Sequence, residues 1–105
     1  PTARTWFGFA STWSCALGAQ AANSIEGIKV AKAMEGMKLP PEVGLMPDQP
    51  FFRAGDHQLI GDLFVGTAQA QGTADDDLFK VSQIVKGTDA AVSVEEAGCK
   101  LTWPS

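Results

Sequence analysis

Between Pro40 and Pro50 the chain carries four prolines, Pro40, Pro41, Pro47 and Pro50. Each fixes its own φ, removes a backbone donor and biases the residue before it toward extended geometry. No helix or central strand runs through such a stretch, so it divides the sequence into a helical first part and an extended remainder. The connector itself reads as extended rather than flexible.

Before the connector, two segments have helical character. Ser11 to about Ser24 is rich in Ala, with Trp13, Leu17 and Ala21 at helical spacing and Ser11 or Thr12 as the candidate cap. Its small residues predict close packing against a neighbour. Ile25 to Lys38 repeats apolar groups at Ile25, Ile28, Ala31 and Met34, opposite Glu26, Lys29, Lys32 and Glu35. That pattern is an amphipathic surface helix, ended near Gly36. Met34 and Met37 read as core filler.

After the connector, Phe51 to Arg53 predicts a short strand and Ala54-Gly55-Asp56-His57 a turn. Gln58 to Gln69 predicts one longer strand, apolar on both faces and therefore covered. Gln71 to Asp77 is a polar loop, Leu78 to Val85 a third strand, and the two longer strands form a hairpin. Lys86-Gly87-Thr88-Asp89 turns the chain, and Val92 to Cys99 forms one or two helical turns capped by Ser93. The tail ends on Trp103, which calls for cover. The resulting class is α/β: two N-terminal helices, about three strands partly in an antiparallel hairpin, and a short C-terminal helical turn.

Composition narrows the function. At 105 residues the chain makes one small domain, and 45% hydrophobic residues argue against disorder. A net charge of −4 with scattered Lys and Arg leaves no basic face for nucleic acid. No run approaches the length of a membrane span. The start at Pro1, with no basic region leading into an apolar one, reads as a mature or cut product. Cys15 and Cys99 match no zinc or CxxC spacing; they read either as one long-range disulfide or as two buried thiols.

Catalysis finds little support. His57, the sole histidine, lies in a turn with no nucleophile elbow anywhere, and Cys15 has no neighbouring charge to activate it. Asp75-Asp76-Asp77 lacks the alternating ligands of a calcium loop and reads as a charged hairpin tip. No glycine pattern cradles a phosphate, and no cofactor or metal site is expected. The candidate binding cluster is Trp6-Phe7-Gly8-Phe9-Ala10-Ser11-Thr12-Trp13. There an extended segment feeding a helix would offer free N–H groups to an anionic end, beside aromatic walls for an apolar body. The same aromatics also read as core.

The order of these pieces resembles the C-terminal part of the type 1 periplasmic solute-binding proteins, branched-chain amino acid (Leu-Ile-Val-binding) family, of ABC importers. The similarity runs from Phe7 to Val85 and toward Trp103. It rests on the Phe7–Asn23 helix entry, Lys32-Ala33-Met34-Glu35-Gly36-Met37, Phe51-Phe52-Arg53-Ala54-Gly55-Asp56-His57-Gln58, Leu63-Phe64-Val65-Gly66 and Leu78-Phe79-Lys80-Val81. The resemblance implies a piece of a two-lobed Venus-flytrap protein. Residues 1–50 would belong to one lobe, and 51–105 would supply hinge-crossing strands and the tail of the other. It further implies a periplasmic, non-enzymatic role in transport, with an amino acid or small carboxylate held between the lobes. Phe7, Phe9, Ser11, Thr12 and Trp13 would be the contacts, although Thr12 stands where many members carry Tyr. Its partners would be that solute, a membrane permease, and either the remainder of the protein or a second copy. The competing readings are a stand-alone homodimeric module without ligand, and a small hydrolase.

Overall fold

The computed structural model describes residues 3–70, 72, 74 and 77–104. Helix α1 spans Ala3–Ala22, α2 Gly27–Ala33 and α3 Pro41–Gly44. Strands β1 (Phe51–Phe52), β2 (Leu59–Ile60), β3 (Leu63–Ala68) and β4 (Phe79–Val85) follow, and α4 (Gly87–Ala90) precedes the tail. The α/β class and the order of helices, antiparallel strands and short C-terminal helix are as the sequence predicts.

The first helix begins eight residues before Ser11, because the apolar spacing that includes Ala10, Ser14 and Leu17 already starts at Trp6. It closes at Asn23, whose φ of 46° is left-handed, and Ser24 N–H returns to the Ala19 carbonyl at 3.1 Å. Helix α2 is shorter than its apolar repeat suggests. Ile25 lies outside it and is 96% exposed. The two helices meet at Gly18, where a Cβ would sit 2.8 Å from Met34 Cγ and 3.1 Å from Val30 Cγ1. Only glycine permits that approach.

Within the connector the prolines start a helix instead of preventing one. Pro40 is the N-cap of α3 and Pro41 its first residue, where the absent N–H costs nothing. Leu45, at φ 53°, ends it. The flanks are extended as expected: Leu39 N–H bonds to the Pro50 carbonyl at 2.8 Å and Phe52 N–H to that of Met37 at 2.9 Å. Strand β1 pairs on its other side with β2, antiparallel, Phe51 opposite Ile60. The core gathers here. Ala10, Leu39 and Val43 are buried, and Trp6, Leu17, Met37, Phe52 and Leu59 pack around them.

The single long strand expected over 58–69 is broken at Gly61-Asp62 into β2 and β3, which belong to different two-stranded sheets. Strand β3 pairs with β4 from Leu63 opposite Val85 to Ala68 opposite Phe79, with a bulge after Val65. That extra residue changes the faces. It sets Val81 and Phe79 on the side that already carries Phe64 and Ile84. At its centre, a Cβ on Gly66 would fall 2.2 Å from the Lys80 carbonyl oxygen. The cover expected along 58–69 holds for the β2 part, where Ile60 is buried and Leu59 packs on the core, and fails in β3, where Leu63, Phe64 and Val65 are 42–53% exposed. Phe79, Val81 and Ile84 of β4 are exposed with them.

The Lys86–Asp89 turn is short helix α4, and residues 94–98 form turns with Ser93 Oγ accepting from Glu96 N–H at 3.1 Å. Both cysteines are free and exposed, so neither the disulfide nor the pair of buried thiols is present. Of the predicted hairpin tip, Asp75 and Asp76 lie outside the described residues.

Candidate functional site

The first turns of α1, the end of α3 and the start of β3 enclose an apolar groove. Trp6 anchors it by donating its indole N–H to the Gly44 carbonyl at 2.9 Å. This bond satisfies the ring's polar edge and pins α1 to α3. Phe7 packs edge-on against Trp6, ring centroids 5.1 Å apart. The left-handed Leu45 swings the chain so that Leu45 and Met46 make one wall, and Leu63 and Phe64 make the facing one. The space is about 400 Å³, with an adjoining recess of about 150 Å³ beside Leu59 and Gly61.

Asp62 is the one charged residue of the groove lining. It is buried, and its Oδ2 accepts from the Asp48 N–H at 3.1 Å, which fixes the bend after Met46. A cavity with apolar walls and one placed polar group holds a small molecule by its shape and orients it by one end.

Of the aromatic cluster picked out in the sequence, Trp6 and Phe7 line this groove, and of the expected solute contacts Phe7 does. Adjacent helix residues are about 100° apart, so Phe9 points to the opposite flank of α1. There it meets Trp13 edge-on at 6.5 Å, and both rings are exposed. Ser11 is exposed, and Thr12 Oγ1 donates back to the Gly8 carbonyl at 2.9 Å. Because α1 begins at Ala3, no free N–H groups gather at Ser11 and Thr12. The anion seat expected there is absent, as is their capping role. Sequence reasoning missed Leu45, Met46, Asp62, Leu63 and Phe64, which only the α3 turn and the break at Gly61 bring beside Trp6.

The turn before β2 is organised by charge. Arg53 grips Asp56 with two hydrogen bonds, Nε to Oδ1 at 3.0 Å and Nη2 to Oδ2 at 2.5 Å. These bonds hold the Asp56 carboxyl below the usual carboxylate range against the opposing effect of partial burial, with help from the Gln58 N–H. The Arg53 guanidinium is raised by the same pair. His57 contacts Glu35 and Trp103 in this turn. Among the described residues no group of three or more His, Cys, Asp or Glu is placed to hold a metal ion. No helix among them is long and apolar enough to cross a membrane.

No protein-family model matches the chain, and no curated protein matches it. Among solved structures, an amino acid ABC transporter substrate-binding protein from Pseudomonas fluorescens Pf-5 is similar. The TM-score is 0.65 and the identity 33%, over 84% of this chain and 22% of that one. The chain thus spans about a fifth of the length of the protein it matches, and its fold is an α/β fragment of a solute-binding protein fold.

Proposed function

We propose that this chain is part of the solute-binding component of an ABC importer, taking an amino acid or small carboxylate between two lobes. The observation that carries the reading is the agreement in both sequence and structure with an amino acid ABC transporter substrate-binding protein over 84% of the chain. An identity of 33% over that span goes beyond a shared fold. Residues 1–50 belong to one lobe, and 51–105 carry the hinge strands and the tail of the other. The protein works in the periplasm, delivers its solute to a membrane permease and performs no catalysis. Membership in the branched-chain subfamily belongs to the same proposal.

Trp6 and Phe7 then form an apolar wall of the cleft, with Asp62 at one end of the groove. Phe9 and Trp13, with Ser11 and Thr12 beside them, offer a second surface to the solute or to the opposite lobe. The exposed faces of β3 and β4 are consistent with cover by the remainder of the binding protein. Those same faces favour the alternative, a stand-alone homodimer in which a second copy supplies the cover.

Thermal melting of the longest natural product carrying this sequence, against a panel of the twenty amino acids and small carboxylates, separates the two. The proposal predicts that one solute or a few related ones raise the melting temperature, as selective binding to the folded state must. No shift with any member, together with a stable dimer of the 105-residue chain, would establish the alternative.

A further inference from the structure

Asp62 stands where the chain breaks between β2 and β3, and it is only 6% exposed. Its Oδ2 is taken by the Asp48 N–H. Its Oδ1 has no hydrogen-bond donor among the described residues, yet that atom is not sealed from solvent. No Lys, Arg or His among them stands within ion-pair distance of the carboxylate. Lys86, which shares a recess with Asp62, pairs instead with Asp48 at 3.5 Å. A carboxylate taken this far out of water calls for a positive or hydrogen-bond-donating partner.

The spaces that Asp62 lines decide what that partner can be. The recess toward Asp48 and Lys86 is about 40 Å³, room for one water. The groove of about 400 Å³ and its extension of about 150 Å³ hold a small organic body. Both are walled by Trp6 and Phe7, and no basic side chain lines either. Aromatic faces attract cations. A solute ending only in a carboxylate would meet a like charge here with no basic side chain to offset it. An ammonium meets the opposite charge.

We propose that the groove is an ammonium site. It takes a solute whose apolar body packs on Trp6 and Phe7 and whose charged amine donates to the free oxygen of Asp62. Such a bond is charge-assisted on both sides and sits at the edge of an apolar space, where it counts for more than in open water. The inference rests on the solute-binding reading for what the groove is used for. It decides between the two solute classes which that reading leaves open, choosing amine-bearing solutes over plain carboxylates.

The test uses phenethylamine and hydrocinnamate, which share an apolar body and differ in the sign of the charged end. Each is titrated into the ¹⁵N-labelled longest natural product carrying this sequence, with the Trp6 indole N–H, assigned by Trp6→Phe, as reporter. The amine should move that resonance saturably and bind about tenfold or more tighter than the carboxylate, the usual worth of a hydrogen bond to a charged group. This comparison needs no variant. Asp62→Asn keeps an oxygen for the Asp48 N–H and removes the charge, so it should weaken the amine by about the same factor and spare the carboxylate. Equal binding of the two probes, an unmoved Trp6 indole, or full amine affinity in folded Asp62→Asn would overturn the ammonium site. A thermal shift with an amino acid or carboxylate would in that case still uphold the solute-binding reading. Saturable amine binding at Trp6 with no thermal shift from any solute would uphold the site and overturn that reading.

Discussion

Trp6 and Arg53 each tie together segments that are otherwise weakly joined. The Trp6 indole reaches across to the Gly44 carbonyl, so Trp6→Phe keeps most of the ring's packing and removes one part-buried hydrogen bond. A loss of about 1 kcal/mol is expected from the urea unfolding midpoint. Leu39 is wholly buried at the centre of the core, and Leu39→Ala should cost about 2–5 kcal/mol in the same measurement. Asp56 sets the response to acid. Its carboxyl is lowered first by the hydrogen bonds from Arg53, so its stabilising contribution is complete above the unfolded carboxylate range near about pH 4. It disappears as pH falls through the lower, folded value. Asp56→Asn should therefore flatten the acid limb of a stability–pH profile and leave the slope above pH 5 unchanged.

Among the elements, the hairpin depends most on one position. Any side chain at Gly66 collides with the Lys80 carbonyl, so Gly66→Ala should disrupt the pairing below the bulge. Thr67 pairs with Lys80 across the strands and Phe51 with Ile60, so nuclear Overhauser effects expected between the first pair should vanish in the variant while those between the second persist. Persistence of both sets would mean the bulge can move. Strand existence and order were legible in the sequence because β-branched and aromatic residues cluster there between turn residues. The bulge was not legible, since Val65-Gly66 and Ser82-Gln83 carry no local signal that one extra residue enters β4. The break at Gly61-Asp62 was equally hidden, because Leu59, Ile60, Leu63 and Phe64 read as one apolar run. The start of α1 was readable from Trp6 onward, but Ser11 and Thr12 resemble a cap and drew the boundary inward. That displaced boundary also placed the expected anion seat in the middle of a helix. Of the groove, Trp6 and Phe7 could be found from the sequence. Asp62 and Met46 could not, because the α3 turn that gathers them arises where prolines suggested extension.

At the scale of the molecule, the shape departs from that of an independent domain. The radius of gyration is 16.2 Å and the extents are 54 × 30 × 18 Å, whereas a compact chain of about 100 residues has a radius near 13 Å. The excess lies in elements that leave apolar side chains in water, above all Phe64, Phe79, Val81 and Ile84 on one hairpin face. Replacing Phe79 and Val81 together with Thr should make the isolated 105-residue chain less prone to self-association in sedimentation, and destabilise the longer protein. We propose that this chain supplies an apolar wall of a solute site. Isothermal titration of the solute found by melting into the full-length protein, native and Phe7→Ala, tests it most directly. Saturable one-to-one binding in the native protein, weakened at least tenfold in a folded Phe7→Ala variant, is the predicted result. Equal affinity in the two proteins, or no saturable heat in the native one, would contradict it.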